Sequence, residues 1–183
     1  MQALIRSDKV KDKISTIWSG TMSLLNLVRA IPVALTLTVG AMPAFAVDLP
    51  SKPILTLEAA RTVAAAAEAK ATAEGWPCVI AIVDAEGLPI LLTRMDDAAV
   101  LAGVDLAPGK ARTAALFRRE TGALEDAING SRPAVISARG FVLMRGGIPL
   151  TVKGQVVGAI GISADLPDHD QEIAKAGAAA LAK

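Results

Sequence analysis

The stretch RGGIPLTVKGQVVGAIGIS, residues 145–163, decides how the rest of the chain is interpreted. It holds two apolar runs, Ile148–Val152 and Gln155–Ile162, joined by the dipeptide Lys153-Gly154. A two-residue connection that ends in glycine is typical of a β-hairpin, because glycine readily adopts the positive φ that such turns require. Residues 145–163 therefore predict two antiparallel strands, and we expect one wall of any ligand site to lie here or in the residues that follow.

Three further strands are predicted upstream of this hairpin. Cys78–Val83 is a continuous apolar run rich in β-branched residues, and Leu88–Arg94 follows it after a short turn. So short a connection makes these two strands antiparallel. Phe141–Met144 is a third strand-like run, which ends at the paired glycine. The sequence thus predicts a five-stranded antiparallel sheet.

Helices are predicted on both sides of these strands. Thr56 is placed to cap the first helix, whose alanines recur at helical spacing, and Gly75 ends it. Asp165 is placed to cap the last helix, with Pro167 in its first turn. The order α–β–β–α–α–β–β–β–α predicts an α+β sandwich. The predicted helices are Leu57–Glu74, a short piece over 97–106, Lys110–Arg119, a short piece from Thr121 or Gly122 to Ile128, and a final helix that starts between Asp165 and Asp168.

The first 46 residues are predicted to be a signal peptide. Arg29 precedes an uncharged apolar run over 31–42, which ends in Ala44-Phe45-Ala46. A basic flank, a short apolar core and a small-x-small end are typical of a cleavable leader, and the run is too short to span a bilayer. We expect cleavage near Ala46 and a periplasmic or secreted protein. Met22 is an alternative translation start. After the leader, an extended segment over 47–55 is predicted to precede the domain, which spans 56–183.

The charge balance argues against nucleic acid as a partner. The leader holds five of the 19 basic and two of the 18 acidic residues, so 14 basic and 16 acidic side chains remain. A mildly acidic chain lacks the phosphate-neutralising surplus that nucleic-acid binding requires. The segment 110–145 nevertheless holds seven basic and three acidic residues. This contrast fits either an anionic partner or a solvated helix face.

Few residues are suited to metal or acid–base chemistry. Cys78 is the single cysteine and His169 the single histidine, so no intrachain disulfide and no Cys/His zinc site is expected. No nucleophile elbow, phosphate loop or dinucleotide fingerprint is present. His169 lies one turn before Ile173 and is expected to face the end of the sheet. Asp168 and Asp170 flank it and either orient it, bind a cation, or complement the helix dipole.

The paired glycine is the other candidate site. Gly146 and Gly147 allow backbone amides to approach a bound group, and Arg145 adds a cation beside them. A β-bulge that merely redirects the strand is the alternative interpretation.

Three motifs, in this order, resemble the GlcG/HbpS family of haem-binding proteins, which includes the C-terminal domain of PduO-type proteins. They are KARTA from Lys110, GGIP from Gly146 with GQVVGAIGIS from Gly154, and DQEIAKAG from Asp170. The resemblance covers residues 55–181. It departs from the family at Ser163–Pro167, where a glycine-rich turn is usual. It departs again on the first helix, where Glu58 is followed by Arg61 instead of a second acid, which argues against iron sensing.

The resemblance implies a profilin-like sandwich, homo-oligomers from dimers to octamers, and haem binding. Some members are exported and act with a sensor kinase in haem or redox sensing, and others are intracellular with unclear roles, so a sensor kinase is one possible partner that the resemblance implies. A threonine associated with haem in the family corresponds to Thr113. Lys110, Arg112 and Arg145 are then candidates to meet the propionates, and His169 is the best candidate for the iron ligand.

Three functions remain open at this point. The first is an exported haem-binding protein for storage, sensing or transfer, without evident catalysis. The second is a small-molecule enzyme, haem-degrading or acting on an organic acid, with a substrate carboxylate on Arg145 or the amides of Gly146 and Gly147 and with His169 or Asp170 as base. The third is an oligomeric assembly module whose pocket is vestigial.

Overall fold

A computed structural model describes residues 48–181, and the predicted signal peptide over 1–46 lies outside these residues. Residues 48–56 precede the first helix without regular secondary structure. Within the described range, no helix combines the length and apolar character needed to cross a membrane. The elements are α1 (Leu57–Glu74), β1 (Val79–Asp84), β2 (Pro89–Arg94), α2 (Gly103–Phe117), α3 (Thr121–Asn129), a 3-10 turn (Pro133–Ser137), β3 (Gly147–Val152), β4 (Gln155–Ser163) and α4 (Pro167–Ala179).

A single antiparallel sheet of four strands forms the centre of the described domain, in the order β2-β1-β4-β3. β1 and β4 are central because both are apolar on each face. Ile80 and Ile82 pack with Ile160 on the side covered by α1 and α4. Val79 and Ala81 face the opposite side, under the buried alanines of α2. The structure confirms the α+β class and the predicted hairpin.

α2 lies very close to the sheet because small residues meet at the contact. A Cβ on Gly161 would collide with the Ala107 carbonyl oxygen and would lie 2.5 Å from the Ala111 nitrogen. Ala107 and Ala111 are fully buried. This close approach carries the next residues of α2 over the end of β4, where the polar residues described below lie.

The predicted strand at Phe141–Met144 is wrong, and the sheet has four strands instead of five. The amides of Val142 and of the following Arg145 are bonded by distant side chains instead of by a neighbouring strand. The Val142 amide donates to Thr113 Oγ1 at 3.0 Å, and the Arg145 amide donates to a carboxylate oxygen of Glu125 at 2.7 Å. These bonds satisfy the backbone without a sheet ladder.

The prediction that residues 107–109 separate two helices is also wrong. α2 runs without interruption through Pro108, and the predicted helical piece over 97–106 is reduced to its last residues. A proline inside a helix removes one hydrogen bond and costs about 3 kcal/mol. The burial of one continuous alanine face against β1 and β4 offsets this cost.

The ends of the first and last helices differ in how well they were predicted. Thr56 caps α1 by accepting the Ala59 amide at 3.2 Å, and Gly75 ends it with φ 71°, as predicted. Asp165 does not cap α4, which begins after Leu166 without a side-chain cap. The Asp165 carboxylate is instead bonded to His169.

Candidate functional site

The imidazole of His169, the third residue of α4, is held between an indole and a carboxylate. Its ring stacks on Trp76 with centroids 3.7 Å apart and planes 7° apart. Its Nδ1 lies 2.7 Å from Asp165 Oδ1, and this hydrogen bond lowers the pKa of the Asp165 carboxyl. Among residues 48–181, no hydrogen-bond partner faces Nε2. The side chain is 21% exposed, so Trp76 covers much of the ring while one edge still meets solvent.

An imidazole with Nδ1 bonded to a carboxylate and Nε2 without a partner is suited to bind a metal ion. A carboxylate that accepts the Nδ1 proton fixes the tautomer and leaves the lone pair on Nε2. We assign the tautomer from the hydrogen bond. Trp76 restricts rotation of the ring, so Nε2 keeps one direction. His169 was predicted to face the end of the sheet, and its ring lies against Trp76, which stands between α1 and β1.

A cation lies at the rim of the Trp76–His169 stack. Lys70 Nζ is 5.5 Å from the centre of the Trp76 ring. It is bonded to Glu74 at 2.7 Å and lies 3.4 Å from Glu172. The hydrogen bond that this amine donates to Glu74 is the main cause that raises its pKa. The stack therefore has a permanently charged neighbour.

Lys110 is not available to a ligand, because it is buried in an ion pair. Its Nζ donates to Asp170 Oδ2 at 2.5 Å and to the Ile162 carbonyl at 2.9 Å. Asp170 Oδ1 accepts the Ala164 amide at 2.5 Å. Burial raises the pKa of the Asp170 carboxyl, and the Lys110 charge acts against that shift. Asp170 therefore joins α2 to α4 instead of merely complementing the helix dipole.

The amides of the paired glycine are already bonded within the protein. Gly146 donates to Gln171 Oε1 at 3.2 Å, and Gly147 donates to Thr121 Oγ1 at 2.8 Å. Gly146 has φ 110°, and a Cβ there would lie 2.6 Å from the Asp170 Cβ. A Cβ on Gly147 would lie 2.5 Å from the Lys110 carbonyl oxygen. The space that these glycines leave is thus filled by neighbouring side chains and backbone.

The remaining predicted site residues hold the segment before β3. Thr113 is buried; its hydroxyl donates to the Gly109 carbonyl at 2.8 Å and accepts the Val142 amide at 3.0 Å. Arg112 is exposed, lies 5.0 Å from the Phe141 ring and donates to the Gly140 carbonyl. Arg145 is bonded to Asp126 at 2.6 Å and lies near Glu125 and Asp168.

The structure brings some of the predicted residues together and leaves others apart. Lys110, Gly146 and Gly147 meet in one buried polar network around Asp170, and Arg145 lies at its edge. Arg112 and Thr113 contact the 140–142 segment. His169 belongs to a separate group with Trp76 and Asp165, and no group of three or more His, Cys, Asp or Glu in the described part of the chain is arranged for a metal ion.

Trp76 and the pairing of Lys110 with Asp170 were missed in the sequence. Trp76 follows the glycine that ends α1, but nothing local indicates that its partner lies on the last helix. The sequence does contain a signal for the pairing of Lys110, because a lysine among the buried alanines of one helix face requires a buried hydrogen-bond acceptor. Asp170, beside the apolar face of α4, was the available carboxylate.

Fold and site together define a small α+β domain, with one antiparallel sheet between helices and an oriented imidazole at the end of that sheet. The model of the family described as "Haem degrading protein HbpS-like" matches residues 55–179. The chain belongs to this family, which is the GlcG/HbpS family indicated by the sequence motifs.

Known relatives resemble nearly the whole described domain. Protein GlcG of Escherichia coli strain K12 is 40% identical over 133 residues, which cover 73% of this chain and 98% of GlcG. The crystal structure of a double mutant of HbpS from Streptomyces reticuli has a TM-score of 0.67 and 34% identity, covering 77% of this chain and 97% of that chain. The crystal structure of a PduOC:heme complex has a TM-score of 0.64 and 30% identity, covering 70% and 95%.

Proposed function

We propose that this protein binds haem and that Nε2 of His169 is the axial ligand of the iron. The observation that carries the proposal is the imidazole itself, fixed by Asp165 and Trp76, with no partner on Nε2 among the described residues. Family membership supports the choice of haem, because a relative of similar fold forms a heme complex.

The residues around His169 fit the chemistry of haem. A porphyrin requires apolar contact on its faces, cations for its propionates and a ligand for its iron. Leu166, three residues before His169, is 53% exposed, and Trp76 adds an indole surface. Lys70 is a cation at the rim of the stack, although it is already paired with Glu74 and Glu172. When bound, haem would supply an iron centre able to bind gases or change oxidation state.

The structure favours His169 over Thr113 as the iron ligand. Both hydrogen-bonding roles of the Thr113 hydroxyl are used, and its side chain is fully buried. Contact between this hydroxyl and a haem iron would first require the segment around Val142 to leave. No such rearrangement is needed at His169.

We propose that the protein is exported across the inner membrane. Its proposed role is the storage, sensing or transfer of haem. If the role is sensing, a sensor kinase is the candidate partner. The leader-like sequence of residues 1–46 supports export. The second candidate function, an enzyme that binds a substrate carboxylate on Arg145 or on the amides of Gly146 and Gly147, gains no support. Arg145 is already paired with Asp126, and both amides already donate within the protein.

We further propose that the protein is a homo-oligomer, between a dimer and an octamer. Exposed apolar side chains support this proposal: Leu92 on β2, and Val104, Leu116 and Phe117 on α2. Apolar side chains of this kind are commonly buried between subunits. Size-exclusion chromatography with light scattering tests it, and a monomer at all concentrations would disprove it.

Haemin titration of the purified protein tests the haem proposal, with the Soret band as the readout. The wild type and the Thr113→Val variant are expected to give the same band position. The His169→Ala variant is expected to shift the band and to weaken binding about tenfold or more. Arg119→Gln serves as a surface control. An unchanged band in His169→Ala would remove His169 as the ligand, and no saturable band in the wild type would disprove haem binding.

A further inference from the structure

A groove with a volume of about 630 Å³ lies beside the β3–β4 hairpin, between the residues before α1 and the end of α2. A smaller cavity of about 450 Å³ shares several of its lining residues and reaches Lys153. We call the two together the hairpin groove. The polar side chains that line it are Ser51, Lys52, Arg118, Thr151, Lys153 and Gln155.

The hairpin groove concentrates positive charge, although acidic side chains outnumber basic ones by 16 to 14 in residues 47–183. Three cations line it, and none of its lining residues is acidic. Within residues 48–181, Arg118 and Lys153 form no ion pair. Lys52 lies 2.9 Å from Glu86, but the two side chains are 52% and 64% exposed, and such surface pairs contribute little. Arg118 and Lys153 are therefore the groove cations without a carboxylate partner among these residues, whereas Glu86 partly offsets the charge of Lys52.

The backbone holds two of these cations in a conformation that disfavours them. Arg118 has φ 52° and Lys153 has φ 49°, both in the left-handed region. Glycine or asparagine normally occupies these two kinds of position, the end of a helix and the first residue of a tight hairpin turn. The left-handed conformation is unfavourable for a residue that carries a side chain. Long cations at both positions indicate that the side chains serve a purpose other than forming the turn.

The hairpin groove is remote from His169. β4 begins beside the groove at Gln155 and ends at Ser163, shortly before α4. Eight steps along a strand correspond to roughly 26 Å. A ligand in the groove therefore does not share the iron ligand proposed above.

We propose that the hairpin groove binds a small organic anion that carries two or more oxyanion groups, either carboxylates or phosphates. A guanidinium binds such a group with two parallel hydrogen bonds, and Arg118 provides one. Lys52 and Lys153 add point charges, and the hydroxyls of Ser51 and Thr151 add donors. The volume of the groove is within the range of small-molecule sites.

Isothermal titration of the full protein with citrate and with inorganic pyrophosphate tests the proposal, with sodium chloride at matched ionic strength as the salt control. Saturable binding of one or both probes is expected. Arg118→Gln and Lys153→Gln are each expected to weaken it roughly tenfold, which corresponds to one lost charged hydrogen bond. Arg119→Gln, an exposed neighbour outside the lining, is expected to leave it unchanged.

A second variant separates binding from folding. Lys153→Asn removes the charge but suits a left-handed turn, so binding should weaken while thermal stability is kept or increased. Binding no stronger than in the salt control, or an equal loss in Arg119→Gln, would overturn the proposal. Haemin titration of Arg118→Gln keeps the two proposals distinct. An unchanged Soret band is expected, and a lost band would show that the groove is not a separate site.

Discussion

Lys110 and Asp170, which are 60 positions apart, form a buried ion pair with 2.5 Å between Nζ and Oδ2. The same two side chains also bind the Ile162 carbonyl and the Ala164 amide. The pair thus joins α2 and α4 to the end of β4. The turn that it fixes leads directly to Asp165, which in turn orients His169. A buried pair remote from solvent therefore supports the geometry of the proposed iron ligand.

Replacement of Lys110 with Met is expected to destabilise the fold strongly. The change leaves the Asp170 carboxylate buried without its cation, and breaking a buried pair from one side costs about 3–5 kcal/mol. The double variant with Asp170→Leu should recover much of this loss, because no uncompensated charge remains. Urea unfolding measures both. Lys175→Met, on the exposed side of α4, is the control and should stay within about 0.5 kcal/mol of the wild type. A similar value for Lys110→Met would contradict the role of the pair.

Replacement of Thr113 with Val is expected to loosen the segment around Val142. The Val142 amide loses its acceptor, and an unpaired backbone donor of this kind costs about 1–3 kcal/mol. Hydrogen exchange of this amide should accelerate, and limited proteolysis should cleave the segment before β3 sooner. Thr62→Val is a matched control, since the Thr62 hydroxyl bonds only an exposed carbonyl of its own helix. Unchanged exchange at Val142 would show that Thr113 does not hold the segment.

The elements that the sequence predicted correctly are those whose signals are local. Thr56 and Gly75 mark the ends of α1, and Lys153-Gly154 marks the hairpin, each through the conformations available to a few adjacent residues. Phe141–Met144 has the composition of a strand, but the amides of Val142 and of the following Arg145 are bonded by Thr113 and Glu125, which lie far away in the sequence. No local pattern carries that information.

The sequence predicted some residues of the candidate site but not the contacts that they make. The paired glycine and His169 stood out by residue type, yet their partners did not. Gln171 and Thr121 bond the glycine amides, and Trp76 covers the imidazole, through contacts that exist only after α3, α4 and the sheet have assembled. Residue chemistry therefore located the functional end of the sheet, while tertiary contacts decided which groups remain available to a ligand.

The Cys78 thiol is expected to be unreactive in the folded protein. Burial is the main cause that raises its pKa from an ordinary 9.0 to about 12, and the Asp170 charge adds to the shift. Because the thiolate is the nucleophile, reaction with a disulfide reagent at pH 8 should be about a thousandfold slower than for the unfolded chain. The folded state also holds the proton more tightly, so stability should fall as the pH rises from 9.0 towards 12. Rapid labelling of the native protein would contradict this burial.

Asp165 and Asp168 flank the start of α4 and provide a direct test of the oriented imidazole. Asp165 accepts the Nδ1 proton of His169 at 2.7 Å, whereas Asp168 is 87% exposed and lies 3.8 Å from Arg145. Removal of a carboxylate that orients a metal-bound histidine typically costs 10–100-fold in affinity. Asp165→Asn is therefore expected to weaken haemin binding at least about tenfold, with the Soret band retained, while Asp168→Asn leaves the affinity unchanged. The prediction is contradicted if both aspartate variants bind haemin as tightly as the wild type while His169→Ala does not. In that case the imidazole binds iron without needing its carboxylate, and the 2.7 Å hydrogen bond has no functional consequence.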